Sequence, residues 1–395
     1  MSIKFIDQID IKGKRVLGRF DFNVPIKEGE IQDDSRIKAA LDTIKYILDN
    51  GGKLIACSHL GKPKGKRVDE LSLKPVARRL KELLGKDVKM ANDCIGDQVL
   101  SMANELKEGE ILLLENLRFH KGETENDPEF SKELAKLADV YVNDAFGVVH
   151  RKHASVVGIC DYVDIVCGGF LIKKEVEYLS NYLAKPEHPF VLIAGGAKVS
   201  TKLGVLNNLL DRVDMILIGG AMANTFRKAQ GYPIGSSIYE KDLLDEALKI
   251  INKAKEKGVA FYLPVDYVMG KDINDQVPLG VFPYQNVDPD GKIFDTGPAT
   301  HALYSEVLRE AKTVVWNGPM GAFENPTFSQ GSFGIAQSVA AVSGTTIVGG
   351  GDTDNLIHKC KLQDKITFIS TGGGSFLEFL EGKQLPGLKA LGLYD

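Results

Sequence analysis

Two glycine turns near the end of the chain carry the residues best suited to chemistry: Gly349-Gly350-Gly351-Asp352-Thr353 and Thr371-Gly372-Gly373-Gly374-Ser375. Each follows a short apolar run, at 346–348 and 366–369, and precedes residues with helical spacing. Backbone without side chains lets N–H groups approach an anion, and the start of a helix adds a favourable dipole. An Asp inside one of the turns could hold a cation. The pattern points to a phosphate site.

Further candidates share that chemistry. In GGAKVSTK (195–202), a helix opening just after Gly196 would set Lys198 and Lys202 four residues apart on one face, near its positive end. Two cations there call for an anion between them. Elsewhere, Asp21 and Asn23 occupy alternate positions of RFDFNVP, and Arg36 sits at a helix start, where a cation works against the dipole. Ser58-His59-Leu60-Gly61-Lys62, Glu115-Asn116-Leu117-Arg118 and His150-Arg151-Lys152-His153 complete a basic set. Each alone fits a surface ion pair; together they suit bidentate capture of a small phosphate or carboxylate. Neither G-x-x-x-x-G-K-S/T nor a G-x-G-x-x-G opening a helix after a strand is present. That argues against a Walker-type kinase and a nicotinamide dehydrogenase.

The elements that must position these groups alternate. Strands are expected at 16–20, 53–57, 111–114 and 140–143. Between them lie a helix with Ile37, Leu41, Ile44 and Leu48 on one face, capped by Asp34-Ser35, and a second helix begun by Ser72 and Pro75. In the second half, strands at 190–194, 215–218, 260–263, 313–316, 345–348 and 366–369 run into glycine-rich or polar turns, among them Gly219-Gly220 and Asn317-Gly318-Pro319. Such alternation predicts an α/β protein with two doubly wound parallel-sheet, Rossmann-like domains, whose ligands bind at the carboxyl ends of the strands. Residues 1–169 form the expected first domain and 187–375 the second. A charged amphipathic segment, 170–186, serves as a helical hinge between them.

Bulk properties narrow the class. The 395 residues suffice for two or three domains, and a net charge of −4 argues against nucleic-acid binding by bulk charge. The five cysteines form no C-x-x-C pair, which fits reduced thiols in a cytoplasmic protein. The first residues hold no long apolar stretch and no run reaches bilayer length, so neither export nor membrane insertion is expected. Neither a nucleic acid nor a membrane is expected as a partner.

At this point the motifs resemble a known family. KRVLGRFDFNVP (14–25), SHLGKPKG (58–65), ENLRFHKGE (115–123), NDAFGVVHRKHAS (143–155), GGAKVSTK, VWNGPMGAFE (315–324), GGGDT and STGGG occur in the order, and over the length, seen in phosphoglycerate kinase. The resemblance implies reversible phosphoryl transfer between 1,3-bisphosphoglycerate and Mg-ADP, giving 3-phosphoglycerate and ATP in glycolysis, by hinge closure and in-line transfer. It implies a 3-phosphoglycerate-binding first domain using Asp21, Asn23, Arg36, His59, Lys62, Arg118 and Arg151. It also implies a nucleotide-binding second domain using Gly196, Lys198, Lys202, Gly220, Glu324, Gly350, Gly351, Asp352 and Thr353. Asp352 would hold Mg²⁺, while Arg36, Lys202, Gly373 and Gly374 would act on the phosphoryl group in transit. The protein would be a cytoplasmic monomer whose tail, about 376–395, packs back on the first domain. Lys62 departs from the Arg frequent in the family; it keeps the charge and loses the fork. A non-catalytic relative would be expected to have lost Arg36, Lys202 or Asp352, and all three are present.

Overall fold

A computed structural model describes residues 3–394, with backbone only at 181 and 184. The chain divides into two compact units. One comprises the residues through Glu177 together with those from Gln384 on, and the other comprises Tyr178–Lys383.

The first unit is built on a six-stranded parallel sheet in the spatial order Val88–Met90, Ile111–Leu113, Lys53–Cys57, Arg15–Phe20, Val140–Asp144, Val166–Gly168. Its central strands are buried on both faces, which explains near-continuous runs such as VLGRF and LIAC. Val16, Leu54, Val140, Ile44, Ile47, Val76 and Leu80 share the core on one side of the sheet. The order reverses beside Arg15–Phe20, whose neighbours are Lys53–Cys57 and Val140–Asp144.

The expected helix carrying Ile37 to Leu48 is two, Ser35–Ala39 and Leu41–Asp49, with Ala40 ending the first. Asp34 makes no side-chain cap; its carboxylate accepts from Arg79 Nε at 2.9 Å and pairs with Lys38. The two cations, through hydrogen bonds and charge, outweigh partial burial and hold this carboxyl below its usual range. Ser72 stands just before the helix Lys74–Leu84, and its hydroxyl accepts the Lys74 N–H at 3.3 Å.

The helix Phe170–Ala184 buries Ile172, Val176, Leu179 and Leu183, a spacing of four, three and four residues that keeps one face inward. At its start Phe170 N donates to Thr43 Oγ1 at 2.8 Å and Ile172 N to Asp144 Oδ1 at 3.1 Å. The chain passes from one unit to the other within this helix, between Glu177 and Tyr178.

The second unit has its own six-stranded parallel sheet. Its spatial order is Ala260–Tyr262, Met215–Ile218, Phe190–Ala194, Thr313–Asn317, Thr345–Gly349, Phe368–Ser370. Counted along the chain this is 3-2-1-4-5-6, the doubly wound arrangement whose switch point falls between Phe190–Ala194 and Thr313–Asn317. Trp316, Val191, Leu217, Tyr304, Leu356 and Ile335 form its core. Truncating a fully buried Trp such as Trp316 to Ala typically costs about 3–5 kcal/mol.

A three-stranded antiparallel sheet, Gly280–Pro283, Asp266–Gly270 and Lys292–Thr296, is present beyond the expected elements. Asp266 opens one of these strands. It also holds the start of the helix Pro298–Arg309, accepting from Ala299 N at 2.9 Å and Thr300 N at 2.7 Å.

Candidate active site

In the first unit, the basic and polar residues of four strand ends meet beside the sheet's switch point. Arg19, at the end of Arg15–Phe20, is fully buried. Its Nε donates to Ser155 Oγ at 2.9 Å, and that hydroxyl donates to buried Glu123 at 2.7 Å. Its Nη2 lies 3.2 Å from His59 Nδ1. A guanidinium can only donate, so Nδ1 accepts and the ring proton sits on Nε2. Burial, reinforced by Arg19, Arg118 and Arg36, keeps His59 neutral, with its pKa well below the usual histidine range. His59 is thereby a fixed neutral donor.

Arg36 Nη1 donates to Asp21 Oδ2 at 3.0 Å and to the Asn23 carbonyl at 3.3 Å. Asn23 Oδ1 accepts from Gly61 N at 2.8 Å, and the Gly61 carbonyl accepts from Arg118 Nη1 at 2.8 Å. Asp21, Asn23, Arg36 and Arg118 are thus linked through a single turn, 58–61. Burial, then the charges of Arg19 and Arg151, lower Arg118 to about 10, and its buried Nε has no hydrogen-bond partner. Leaving such a donor unpaired costs about 1–3 kcal/mol, and more for a charged group. An anion would satisfy the donor and relieve the crowding of positive charge. Burial and the neighbouring arginines also depress His153 to about 3, while burial and Arg151 depress His150 to about 4. Arg151 and Lys62 are exposed. Arg151 is near enough to affect Arg118, but no hydrogen bond or ion pair ties Lys62 to the cluster among the described residues.

In the second unit, the turns after Phe190–Ala194 and Thr313–Asn317 approach each other at the switch point. Gly195 N donates to the Asn317 carbonyl at 3.0 Å and Gly196 N to the Pro319 carbonyl at 2.9 Å. A cleft of about 350 Å³ opens there, walled by Gly196, Lys202, Asn317, Gly350, Asp352 and Gly373. Gly351, Thr353 and Gly374 also line it. Gly350 has φ +99°, and a Cβ on it would stand 2.7 Å from Asn317 Nδ2, so the turn admits only glycine. The Thr353 hydroxyl accepts from Gly318 N at 2.8 Å, which ties the two turns together and leaves its own proton free to donate.

Lys202 is only 7% exposed, and its Nζ donates to Asn317 Oδ1. Burial lowers it to about 8, against the smaller opposing pull of Asp352 and Glu381. The expected helix after Gly196 is absent. Residues 197–202 form turns, and the helix is Leu203–Leu209, so Lys198 and Lys202 do not share a helical face. The Glu240 carboxylate accepts from Ser200 Oγ at 2.5 Å and from Ser200 N at 3.1 Å, which anchors this segment. Lys198 is exposed and lines neither cleft.

A second, largely apolar cleft of about 300 Å³ adjoins the first through Gly196 and Asp352. Gly220, Ile238, Phe294 and Met320 supply its walls, and Glu324 is exposed at its edge. Flat apolar walls beside a phosphate-type cleft suit a nucleobase, and a rim carboxylate suits ribose hydroxyls. Asp352, on the first turn of the helix Gly351–Lys359, is exposed and engages no hydrogen bond or ion pair among the described residues. A free carboxylate next to that cleft fits a hard divalent cation such as Mg²⁺.

Sequence reasoning left out Asn317, which joins Lys202 to the glycine turn, and Arg19, which sets the His59 tautomer. Asn317 had been visible as a polar strand end, and Arg19 as a charge inside an otherwise apolar strand.

Comparison with known proteins agrees with this geometry. A family model described as phosphoglycerate kinase matches residues 6–383. The phosphoglycerate kinase of Maridesulfovibrio salexigens is 54% identical over 394 residues, covering 98% of this chain and 99% of that protein. That of Clostridium botulinum strain Alaska E43 is 53% identical, covering 98% of each. Among solved structures, phosphoglycerate kinase from Coxiella burnetii matches with a TM-score of 0.89 at 44% identity, over 98% of each chain. The enzyme from Pyrococcus horikoshii OT3 matches at 0.87 and 32%, over 99% of each. Agreement at this identity along nearly the whole chain gives one conclusion: the chain belongs to the phosphoglycerate kinase family.

Proposed function

We propose that the arginine cluster of the first unit binds 3-phosphoglycerate or 1,3-bisphosphoglycerate and that the glycine-walled cleft of the second binds ADP or ATP. The family's reaction moves the acyl phosphate of 1,3-bisphosphoglycerate to ADP. Its carboxylate leaving group is good, so neither a general base nor a covalent nucleophile is needed. Catalysis rests on positioning and on neutralising the oxygens of the moving group.

The residues divide the work accordingly. Asp21, Asn23, His59, Arg118 and Arg151 orient the glycerate, with Lys62 at the edge. Arg36, whose guanidinium Asp21 holds, stabilises the phosphoryl in transit. Lys202, carried on Asn317, meets the nucleotide phosphates from the other side, and Lys198, outside the cleft lining, adds positive charge from solvent. Gly373 and Gly374 supply backbone donors, Gly196 and Gly220 let the nucleotide lie close, and Glu324 takes the ribose. Asp352, with Gly350 and Gly351 beside it, would hold Mg²⁺, which neutralises phosphate charge when bound. In-line transfer requires both ligands to be brought together with water excluded, which is the role of closure about the helix Phe170–Ala184.

The observation that carries this reading is Lys202: a nearly buried ammonium lowered to about 8 on the floor of a glycine-walled cleft. An anionic phosphate offsets that desolvation. The protein is further taken to act as a cytoplasmic monomer; among the described residues no helix is long and apolar enough to cross a membrane. A coupled assay with MgATP and 3-phosphoglycerate should release ADP with saturation in both. No release would remove the assignment.

A further inference from the structure

Outside both clefts, three ligating side chains converge on two turns of the first unit. Asp93 and Cys94 follow the strand Val88–Met90, and His120 follows the short helical turn Leu117–Phe119. A carboxylate oxygen of Asp93, the Cys94 sulfur and a ring nitrogen of His120 all lie within 4.8 Å of one another. We propose that Asp93, Cys94 and His120 form a site for one borderline-soft divalent cation of the zinc class, on residues other than those that serve phosphoryl transfer.

The backbone holds the three in place. Ala91 N donates to the Leu113 carbonyl at 2.9 Å and Glu115 N to the Asp93 carbonyl at 3.3 Å, which joins the two turns. Asp93 Oδ1 accepts from Cys94 N at 2.7 Å and lies 2.5 Å from His120 Nε2. The His120 ring rests on Phe130, 5.2 Å between centroids. Tetrahedral zinc, with Zn–S about 2.3 Å and Zn–N about 2.0 Å, needs its ligand atoms roughly 3.3–3.6 Å apart. The Asp93 Oδ1–His120 Nε2 pair has to open from 2.5 Å by somewhat under an ångström, and any pair near the 4.8 Å limit has to close by about an ångström.

The donor set decides the class of ion. Mg²⁺ and Ca²⁺ take oxygen ligands, whereas a sulfur, an imidazole and one carboxylate favour Zn²⁺ or Co²⁺. Cys94 is buried and Asp93 exposed, so the ion would enter on the carboxylate side, with its fourth position open to water.

Without an ion, Cys94 Sγ donates to the Glu115 carbonyl at 2.9 Å. A bound cation favours the thiolate over the thiol. On binding, the thiol proton leaves to solvent and sulfur coordinates as thiolate, while the imidazole carries its proton on Nδ1 and coordinates through Nε2. One proton is released per ion, so affinity rises with pH. Because the ion joins two turns present only in the folded chain, it stabilises the native state in proportion to its concentration.

The test is a titration of the reduced, full-length protein with Co²⁺ alone, in buffer containing Mg²⁺. One equivalent should produce a thiolate-to-cobalt charge-transfer band and intense visible bands of four-coordinate cobalt, and Zn²⁺ should displace it and raise Tm. Cys94→Ser should abolish the thiolate band. His120→Ala should weaken binding at least about tenfold. Cys360→Ser, at a more accessible thiol, should change neither. Should Cys94→Ser perturb folding, Asp93→Asn at an exposed position serves instead, with weaker binding and the thiolate band retained. Absence of the band in the native protein, or its survival in Cys94→Ser, would overturn the proposal.

Discussion

Lys202 donates from Nζ to Asn317 Oδ1, and Asn317 donates from Nδ2 to the Gly349 carbonyl at 2.6 Å. Only one orientation of the amide satisfies both neighbours, since an ammonium cannot accept and a carbonyl cannot donate. One side chain therefore fixes the cation and the glycine turn together.

The pH profile should show this cation. Burial lowers Lys202 to about 8, so in the free enzyme its charge is lost as pH rises through that value. We expect kcat/KM for nucleotide to fall above about pH 8, and kcat to fall at higher pH because bound phosphates restore the charge. Lys202→Arg should shift this limb out of range while lowering kcat. The sign for stability is opposite. The unfolded chain holds the proton up to its ordinary pKa of 10.5, so stability attributable to Lys202 rises with pH between about 8 and that value. An unchanged alkaline limb in Lys202→Arg would remove Lys202 as its origin.

Two neighbouring glycines should behave differently. Gly350→Ala puts a Cβ at φ +99° and 2.7 Å from Asn317 Nδ2, a strain of about 1–3 kcal/mol that also displaces the Lys202 acceptor. Tm should drop by roughly 3–10 °C and nucleotide KM should rise. A Cβ on Gly351 meets nothing within 4 Å, so Gly351→Ala should keep Tm and lose affinity by crowding the ligand alone. Calorimetry and nucleotide titration on both variants would separate the effects; equal Tm losses would contradict the geometry.

Arg36→Ala removes the guanidinium that Asp21 and the Asn23 carbonyl hold. If it stabilises the moving phosphoryl, kcat should fall by about 10³-fold or more with little change in nucleotide KM. Near-normal turnover would exclude it from the mechanism. Arg36→Lys should recover only part of the rate, because an ammonium cannot reproduce the fork.

Asp144 gives a prediction about the linking helix. It is fully buried, accepts from Ile172 N at the start of Phe170–Ala184, and burial raises it to about 7. The folded state thus holds a proton that the unfolded chain gives up near 3.8. The stability this contributes is present at low pH and is lost as pH rises through about 7. Asp144→Asn should gain stability relative to the native protein between pH 5 and about 8, read as a difference in urea midpoints. A difference independent of pH would contradict it.

The alternation of strand and helix was legible because buried parallel strands leave long apolar runs between periodic segments. The antiparallel sheet was not. Its strand Gly280–Pro283 is half-exposed and ends in proline, so no run marks it. Val88–Met90 is three residues long, too short for any period to show. The glycine turns and arginines could be read from residue type alone, since few roles explain them. The turn at Lys202 could not, because its anchor at Ser200 is Glu240, forty residues further along the chain. Asn317 escaped for a similar reason: a polar residue at a strand end looks the same whether it merely ends a strand or also holds a buried cation.

Crosswise binding measurements test the division of ligands most directly. Calorimetric titration of 3-phosphoglycerate and of MgADP into Arg118→Ala and Lys202→Ala should give complementary losses. Arg118→Ala should lose 3-phosphoglycerate affinity at least about tenfold, as expected for a charged hydrogen bond of about 1.5–3 kcal/mol, and keep MgADP affinity. Lys202→Ala should keep 3-phosphoglycerate affinity. Loss of 3-phosphoglycerate binding in Lys202→Ala, or its retention in Arg118→Ala, would contradict the assignment of one ligand to each unit.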